Sequence, residues 1–387
     1  MSEAIKPANF HWYDYSRYSF SLGLTTSGGV YLSGQTASRY DPDAGRIVVT
    51  GGMGEQVRTI YDKAGVVLQA AGLDFGDVVR VVEYLKPEGI ERYAEAAAVR
   101  AELFAGHSPA VNTVPVRSLL RPDAFIEIEV TAAARDLPHR PGPGLPTAHE
   151  SGGVVFLPTV LPTDAAGEVV GAGDVAAQTE AIFEKAAVML KALGLGFDRV
   201  VKTVDYLTPA ARGDYRRSGP VRKAHLGAVH PASAGILMPR LMHPDALQQY
   251  DFIAVRDQPV AVNPGWRRYD NLTYSPGVKA GKLLFMSGFT ALDPASGEML
   301  HEGDVVAQTE SVYGSIGKVL EAAGGGLQHL VKTIEYVTPA GLAAYRGVAE
   351  LRSRLLSEPY PASTGLVCEA LLYPELLIEV DPYAILD

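Results

Sequence analysis

Residues 200–207 read VVKTVDYL, and nearly the same eight letters stand at two other places in the chain. Residues 78–85 read VVRVVEYL and residues 330–337 read LVKTIEYV, so the copies begin 122 (200 − 78) and 130 (330 − 200) residues apart. Their β-branched and aromatic composition predicts a strand. One strand repeated at two similar intervals indicates three tandem units.

Other landmarks keep the same two offsets, so the repetition covers domain-sized segments. Each unit has a glutamine, a tyrosine, an arginine and a Pro-Ala pair: Gln56, Gln178 and Gln308; Tyr93, Tyr215 and Tyr345; Arg100, Arg222 and Arg352; and residues 109–110, 231–232 and 361–362. Segments 136–146 and 257–266, rich in Pro and Gly, read as linkers. We therefore predict three domains, at 1–137, 145–257 and 262–387.

The first repeat serves as the model for all three. Residues 29–34 and 46–50 read as a hairpin, and apolar residues at helical spacing predict a helix over 54–71. A strand at 78–85, a helix over 91–104 and strands at 111–116 and 125–131 complete the order β-β-α-β-α-β-β. Helices on one face of such an α+β sheet leave the other face in need of a partner. Packing of the three sheets around a pseudo-threefold axis supplies it; the alternative is three independent domains on linkers.

Composition narrows the class of protein. The chain has 387 residues, of which 47% are hydrophobic and 20% charged, and no apolar run approaches the ~18 residues that span a bilayer. A single cysteine, Cys368, and the lack of a signal peptide indicate the cytoplasm. A net charge of −10 argues against nucleic acid as a partner, and the nine histidines show no metal-ligand spacing. We expect no metal and no cofactor.

Four stretches give the chain its resemblance to a known family. They are the segment 274–281 leading to Met286-Ser287-Gly288, Gln308 on the first helix, the turn that begins at Pro361, and an acidic closing strand at 126–129 and 378–381. In these stretches the chain resembles the Rid family, the reactive intermediate deaminases, also called YjgF-like. The resemblance implies a chorismate-mutase-like fold. It also implies homotrimers with a ligand cleft at each subunit interface, so that one chain here supplies all three subunits.

The resemblance also implies an activity and its residues. Family members hydrolyse enamines and imines to ketones and ammonia. By position, the water-activating carboxylate corresponds to Glu379 and Glu127. Substrate-binding positions correspond to Tyr274, Ser287, Gly288, Ser363 and Thr364 and, in the first repeat, to Phe20, Ser33 and Gly34. Backbone N–H groups near Gly288 and the 363–364 turn are expected to stabilise developing charge.

The chain departs from the family pattern at several of these positions. Deaminating members carry an arginine directly after Pro-Ala, whereas this chain has Val111, Ser233 and Ser363. The closing carboxylate is Gln249 in the middle repeat, where Pro158-Thr159 replaces the Ser-Gly pair. The last repeat is therefore the most complete and the middle repeat has a degenerate cleft. Arg100, Arg222 and Arg352 read as ion-paired helix residues, unless their helix borders a cleft and supplies the missing cation.

Two functions of different class follow. The first is a cofactor-free hydrolase or deaminase acting on a C=N or C–N bond of a small, ring-derived imine, enamine or cyclic amide. The second is a non-catalytic, metabolite-binding or chaperone-like homologue. Ribonuclease activity, attached to some relatives, fits the acidic charge poorly. Aromatic segments around Trp12 and Trp266 either line a cleft or form a packed arm. The expected partner is a small molecule, with no nucleic acid and no membrane, and a further homodimer stays open.

Overall fold

The computed structural model describes residues 2–133, 139–142 and 145–386. Three mixed β-sheets follow one another along the chain, one in each repeat. The α+β class and the order β-β-α-β-α-β-β hold in all three. The predicted domain ends at residues 137 and 387 lie outside the described residues, so the exact boundaries stay a prediction.

In the first repeat, the strand that carries the repeated motif lies between an antiparallel neighbour and a parallel one. The sheet runs in the order Glu3–Ala4, Gly23–Thr26, Gly29–Leu32, Ile126–Ala132, Val78–Leu85 and Ala110–Pro115. Its helices are Met53–Ala70, Pro87–Ile90 and Tyr93–Leu103. A separate two-stranded ribbon joins Arg39–Asp41 to Arg46–Val48.

The other two repeats follow the same plan. The middle sheet has the order His139–Gly142, Leu145–Ser151, Val154–Phe156, Gln248–Val255, Val200–Leu207 and Ala232–Leu237, with helices Val175–Ala192 and Ser218–His225. The last sheet has the order Val260–Val262, Gly277–Ala280, Leu283–Met286, Ile378–Ile385, Leu330–Val337 and Ala362–Val367, with helices Val305–Ala322, Pro339–Leu342 and Tyr345–Leu355. Strand Ser118–Leu119 of the first repeat is added to the edge of this last sheet.

The first helix shows why sequence periodicity predicted its bounds well. Val57, Ile60, Ala64 and Val67 lie on one buried face of Met53–Ala70. The helix ends before Gly72, whose φ of +74° is in the left-handed region that favours glycine. The predicted range of 54–71 is therefore correct to within one residue.

The predicted hairpin in the first repeat is wrong in its pairing. Gly29–Leu32 pairs with the preceding strand Gly23–Thr26, and Arg46–Val48 pairs with Arg39–Asp41. Thr26 closes the tighter turn, because its hydroxyl donates to the Gly29 carbonyl oxygen (2.7 Å) and accepts from the Gly28 N–H (3.1 Å). This local hydrogen bonding favours the shorter connection.

The recurring glutamine has a structural role. In the last repeat, the Gln308 amide donates to the Glu375 carbonyl oxygen (2.9 Å) and accepts from the Leu377 N–H (2.8 Å). It thereby fixes the loop before the closing strand to the first helix. Gln56 and Gln178 make the equivalent bond to the N–H groups of Phe125 and Leu247.

Three buried ion pairs connect the repeats in a closed cycle. Each pair joins the third residue of a motif strand to a carboxylate on the closing strand of another repeat: Arg80 with Asp251 (3.4 Å), Lys202 with Asp381, and Lys332 with Glu129 (3.1 Å). The contacts thus run from the first repeat to the middle one, from the middle to the last, and from the last back to the first. Independent domains on linkers have no such cycle.

The motif strands face this contact region. Val200–Leu207 and Leu330–Val337 are buried at all eight positions, which requires cover on both faces of the sheet. Helices cover one face, and the other repeats cover the second. The Tyr206 and Tyr336 hydroxyls lie 3.1 Å apart between two repeats. No helix in the described residues combines the length and apolar character needed to cross a bilayer.

Candidate functional site

Three equivalent clefts lie where the closing strand of one repeat meets the Pro-Ala strand of another. We name each cleft by the residue on its closing strand. The Glu379 cleft joins the last and middle repeats, the Glu127 cleft joins the first and last, and the Gln249 cleft joins the middle and first. The residues after Pro-Ala that face them are Ser233, Ser363 and Val111, respectively.

The Ser-Gly pair of the last repeat builds the wall of the Glu379 cleft. The Gly288 N–H donates to the Ser233 carbonyl oxygen (3.0 Å). The Ser287 hydroxyl accepts from the Ser233 N–H (2.9 Å) and donates to the Ser275 carbonyl oxygen (2.7 Å). Ser287 is fully buried, so its hydroxyl joins two repeats and does not face a ligand.

The Glu127 cleft has the same wall. The Gly34 N–H donates to the Ser363 carbonyl oxygen and to the Thr364 hydroxyl, both at 3.1 Å. The Ser33 hydroxyl accepts from the Ser363 N–H (2.8 Å). The Thr364 hydroxyl also accepts from Lys332 (3.0 Å). The N–H groups of Gly288 and Ser363, which were expected to stabilise substrate charge, are therefore already bonded within the protein, and so is that of Gly34.

The predicted carboxylate of the last repeat lies against glycine. A Cβ atom at Gly288 would be 2.0 Å from the nearer Glu379 carboxyl oxygen, so only glycine leaves room for this carboxyl. The carboxyl also accepts a hydrogen bond from the Gly235 N–H of the middle repeat. Burial raises the pKa of Glu379 to about 8; the Asp381 carboxylate adds to the rise and the Lys202 ammonium opposes it.

Glu127 has a matching environment. A Cβ atom at Gly34 would lie 2.4 Å from its carboxyl oxygen. Burial raises the pKa of Glu127 to about 8, with Glu129 adding to the rise and Lys332 opposing it. Each of these two clefts therefore holds a carboxyl group that is largely protonated at neutral pH and able to give or take a proton near it.

The side chains at the Gln249 cleft are hydrogen-bonded within the protein. Thr159 occupies the glycine position, because its N–H donates to the Val111 carbonyl oxygen (3.3 Å) as Gly288 does to Ser233. The Gln249 amide donates to the Thr113 carbonyl oxygen (2.8 Å) across the cleft. The Thr159 hydroxyl donates to Asp251 (2.6 Å). The Gln249 amide and the Thr159 hydroxyl are thus both engaged by other groups of the protein.

The Glu379 cleft opens into a cavity of about 890 Å³. Tyr274 lies on its wall as predicted, and its hydroxyl has no hydrogen-bond partner among the described residues. Tyr269 and Tyr373 supply further aromatic surface. This volume and these flat side chains suit a small planar ligand.

The charged lining of this cavity is mostly positive. Arg212 and Arg216 of the middle repeat and Arg268 of the last repeat line it, and Glu379 is the one acidic lining residue among the described parts of the chain. Arg268 makes no hydrogen bond or ion pair within the described part of the chain. In a protein of net charge −10, three arginines around one cavity give it a local electrostatic character opposite to that of the whole chain.

The recurring arginines are all ion-paired, Arg222 and Arg352 are buried, and these two make a further contact that the sequence left open. Arg222 pairs with Asp205, and its guanidinium also donates to the Ser233 hydroxyl (3.2 Å). Arg352 pairs with Glu335 and donates to the Ser363 hydroxyl (3.0 Å). Arg100 pairs with Glu83, but its repeat has Val111 at the serine position. The other two arginines therefore contact cleft residues from behind.

The aromatic segments around Trp12 and Trp266 form packed arms and also place rings at a cleft. Trp266 is buried and packs on Phe289 and Tyr269, with ring centroids 6.2 and 5.9 Å apart. Tyr269 reaches the cavity. In the first repeat, Tyr13 donates to Gln35 (3.0 Å), the residue after Gly34, and Phe20 stacks on Tyr18 (5.3 Å). Each segment is a packed arm with some of its rings at a cleft.

Sequence reasoning missed the arginines of the cavity wall. Arg212 lies in the loop after the motif strand and Arg268 lies beside Trp266, and neither recurs in all three repeats. A search for repeated positions cannot find a residue that one repeat alone uses. The signal that could have found them is a charged residue near a predicted cleft whose equivalent positions in the other repeats differ from it.

Comparison with known proteins identifies the family. The family model described as Endoribonuclease L-PSP matches residues 14–134 and 269–386, which together make up more than half of the chain. The protein belongs to this family, and the resemblance to Rid proteins is confirmed. The matched segments are the first and last repeats, the two that keep the carboxylate.

Individual relatives are similar to one repeat at a time. The RutC family protein y4sK of Sinorhizobium fredii is 33% identical over 119 residues, 31% of this chain and 85% of its own. The 3-aminoacrylate deaminase RutC of Acinetobacter baylyi is 31% identical over 107 residues, 28% of this chain and 82% of its own. A chorismatase crystal structure aligns with 80% of this chain and 93% of its own at a TM-score of 0.54 and 14% identity, which is a likeness of fold alone.

Proposed function

We propose that the protein is a cofactor-free deaminase that hydrolyses a C=N bond in a small, ring-derived imine or enamine. The working sites are the Glu379 and Glu127 clefts. The observation that carries the proposal is the buried Glu379 carboxyl, with a pKa of about 8, facing a cavity lined by tyrosines and arginines. Relatives named as deaminases supply the reaction class at the level of the family.

The carboxyl acts first as an acid. Protonated Glu379 donates its proton to the enamine carbon or the imine nitrogen, and the resulting iminium carbon becomes electrophilic. Glu379, now a carboxylate, accepts a proton from water as the water oxygen bonds to that carbon. The carboxyl then protonates the amine nitrogen, the C–N bond breaks, and the hydroxyl proton returns to Glu379. One water is consumed, and a carbonyl compound and ammonia are released.

Tyr274 and the arginines position the substrate in this scheme. The Tyr274 hydroxyl is free to donate to a substrate heteroatom, and its ring forms one wall of the cavity. Ser287 and Gly288, expected to touch the substrate, serve instead to hold the wall that places Glu379. The Gln249 cleft takes no part, because glutamine neither gives nor takes a proton.

The test is ammonia release from a panel of enamines and imines with an unsubstituted nitrogen by the full chain and by Glu379→Gln/Glu127→Gln. A suitable first probe is 3-aminoacrylate, the compound in the name of one relative. Turnover by the wild type and its loss in the double variant support the proposal. Ligand binding by the wild type without turnover of any panel member supports the non-catalytic alternative.

A further inference from the structure

The three arginines that line the Glu379 cavity come from two different repeats. Arg212 and Arg216 follow the motif strand of the middle repeat, and Arg268 comes two residues after Trp266 in the last repeat. The cavity is built between these repeats, so both of its walls carry positive charge. A ligand between the walls can be contacted from either repeat.

The guanidinium groups of these arginines have few partners in the protein. Arg216 and Arg268 make no hydrogen bond or ion pair with any residue that the structure describes, and Arg212 uses only its Nε–H, which donates to the Leu372 carbonyl oxygen (3.1 Å). A guanidinium has five N–H donors. Most of the donors of the three side chains are therefore available to a ligand.

The charge of the lining indicates how many negative charges a ligand brings. Burial raises the pKa of Glu379 to about 8, so its carboxyl is largely neutral at neutral pH. Among the described residues, the lining then carries three positive charges and almost no negative charge. A ligand with one carboxylate balances one of the three charges. A ligand with two negative charges leaves the cavity close to neutral, which the electrostatics of the lining favour.

Two tyrosines connect the charged walls to the carboxyl. Burial raises the pKa of the Tyr274 hydroxyl; the Arg268 charge opposes this rise and the Glu379 carboxyl adds to it, so Tyr274 lies near both groups. Tyr269 lines the same cavity and its pKa responds to the same two residues. A planar ligand stacked on these rings can place its reacting bond at Glu379 and its anionic groups at the arginines.

The Glu127 cleft lacks this set of charges. By the offsets between repeats, the three arginine positions are occupied there by Leu342, Arg346 and Asp14. Arg346 is almost fully exposed and pairs with Glu350 (3.6 Å). One arginine, Arg121, is close enough to Glu127 to oppose the rise in the pKa of that carboxyl that burial causes. The two clefts that carry a carboxyl thus differ in charge, which is expected if they bind different ligands.

We propose that the Glu379 cavity binds a planar ligand with two negative charges, a phosphate monoester or a dicarboxylate, contacted by Arg212 and Arg216 from one wall and by Arg268 from the other. Guanidinium groups bind phosphate and carboxylate through paired hydrogen bonds. This inference rests on the proposed function and names the substrate class for one of its two clefts. The Glu127 cleft takes a ligand of smaller charge, so one chain contains two sites of separate specificity.

A series of ligands with one ring and different charge tests the assignment without requiring turnover. Dissociation constants of phenyl phosphate, isophthalate, benzoate and benzamide are measured by calorimetry on the full chain, at low salt and near neutral pH. We expect the tighter dianion to fill one site per chain and to bind at least about tenfold more tightly than benzoate, as one added charge-assisted hydrogen bond warrants. Which dianion is tighter identifies the group as phosphate or dicarboxylate. Dianions that bind no more tightly than benzoate, or that fill two equal sites, would overturn the proposal.

Neighbouring arginines supply matched controls for the contacts. Arg212→Gln and Arg268→Gln should each weaken binding of the tighter dianion about tenfold and leave benzamide binding nearly unchanged. Arg217→Gln and Arg267→Gln remove the same charge from exposed positions outside the cavity lining and should change the affinity less than about twofold. Equal losses in all four variants would show attraction by the overall charge, and no loss in Arg268→Gln would show that this wall is not used. Either result would refute the proposal.

Failure of the proposed function looks different. A protein that binds the dianion in this pattern yet releases no ammonia from any enamine or imine contradicts the deaminase proposal and keeps the anion site. In a Glu127→Gln background, turnover of uncharged and dianionic enamines at equal kcat/KM, with no effect of Arg268→Gln on KM, contradicts the anion site and keeps the deaminase.

Discussion

The Glu379 and Gln249 clefts have the same backbone frame and opposite character. In both, the residue after the first sheet hairpin donates its N–H to the strand of another repeat, at Gly288 in one and Thr159 in the other. Beside glycine a carboxyl group stays unpaired with any side chain and faces a cavity. Beside threonine the glutamine donates to the Thr113 carbonyl oxygen across the cleft. The comparison teaches that threonine in place of glycine and glutamine in place of glutamate accompany the change from a carboxyl facing a cavity to an amide bonded within the protein.

Removing both carboxyl groups should have the largest effect. Glu379→Gln/Glu127→Gln converts both clefts that carry a carboxyl to the chemistry of the third, and ammonia release should fall about 10²- to 10⁴-fold, as the loss of an acid–base group does. The matched control is Gln249→Leu, which changes the equivalent residue in the Gln249 cleft and should leave kcat/KM unchanged. An equal loss of kcat/KM in Gln249→Leu would mean either that all three clefts are active or that the substitutions lower activity by disturbing the fold.

Adding one Cβ atom should nearly close the Glu379 cleft. In a Glu127→Gln background, Gly288→Ala places a methyl group 2.0 Å from the present carboxyl oxygen, so Glu379 must move. We expect kcat/KM to fall about 10²-fold, since a displaced catalytic group costs this much. Gly314→Ala, at an exposed helix position with open space, is the control and should not lower activity. Full activity in Gly288→Ala would refute the close-packing argument.

The dependence of kcat/KM on pH should show the titration of the protonated carboxyl groups. Because the pKa of Glu379 and Glu127 is about 8, the acid form predominates below pH 8 and is lost above it. The value of kcat/KM for an enamine should therefore fall tenfold per pH unit well above pH 8. A profile that rises through pH 8 would show that the carboxylate, acting as a base, starts the reaction.

Burial of the Glu379 and Glu127 carboxyl groups should also lower the free energy of unfolding at high pH. A carboxyl whose pKa is about 4.5 unfolded and about 8 folded binds more protons in the folded state, so stability falls as pH rises between these values. Glu379→Gln should be more stable than the wild type at pH 9, on the order of 2–5 kcal/mol, and equal to it near pH 4.5. Urea unfolding at both pH values measures this; a difference independent of pH would contradict it.

Breaking one of the ion pairs that connect the repeats should have the smallest effect on activity and a clear effect on the stability of the fold. Lys202→Met leaves Asp381 buried without its partner, which should cost about 3–5 kcal/mol of unfolding free energy. Adding Asp381→Leu should recover most of the loss, because apolar pairs replace buried ion pairs well. If Lys202→Met is neutral in urea unfolding, the repeats do not meet as described.

Much of the fold was predictable from sequence because the chain repeats its own landmarks. The offsets of the motif strand found three units, and apolar spacing placed the helix at 53–70 to within a residue. The pairing of Gly29–Leu32 was not predictable in the same way, because two turns competed and a single Thr26 side chain decided between them.

The site was predictable only in part. Glu379, Glu127 and Tyr274 lie at clefts, as position suggested. The roles given to Ser287 and to the Gly288 N–H could not be checked in one repeat's sequence, since their partners, Ser233 among them, come from another repeat. Arg268 was not predicted, because it is unique to its repeat.

The central claim is that each working cleft takes its carboxyl from one repeat and its serine from the next. Two double variants test it by ammonia release. Glu379→Gln/Ser233→Ala alters one cleft and should retain about half of the activity, from the intact Glu127 cleft. Glu379→Gln/Ser363→Ala alters both clefts and should lose most of it. Equal activities of the two variants would show that each repeat forms its site alone, because both would then keep the Glu127 site, and would contradict the account.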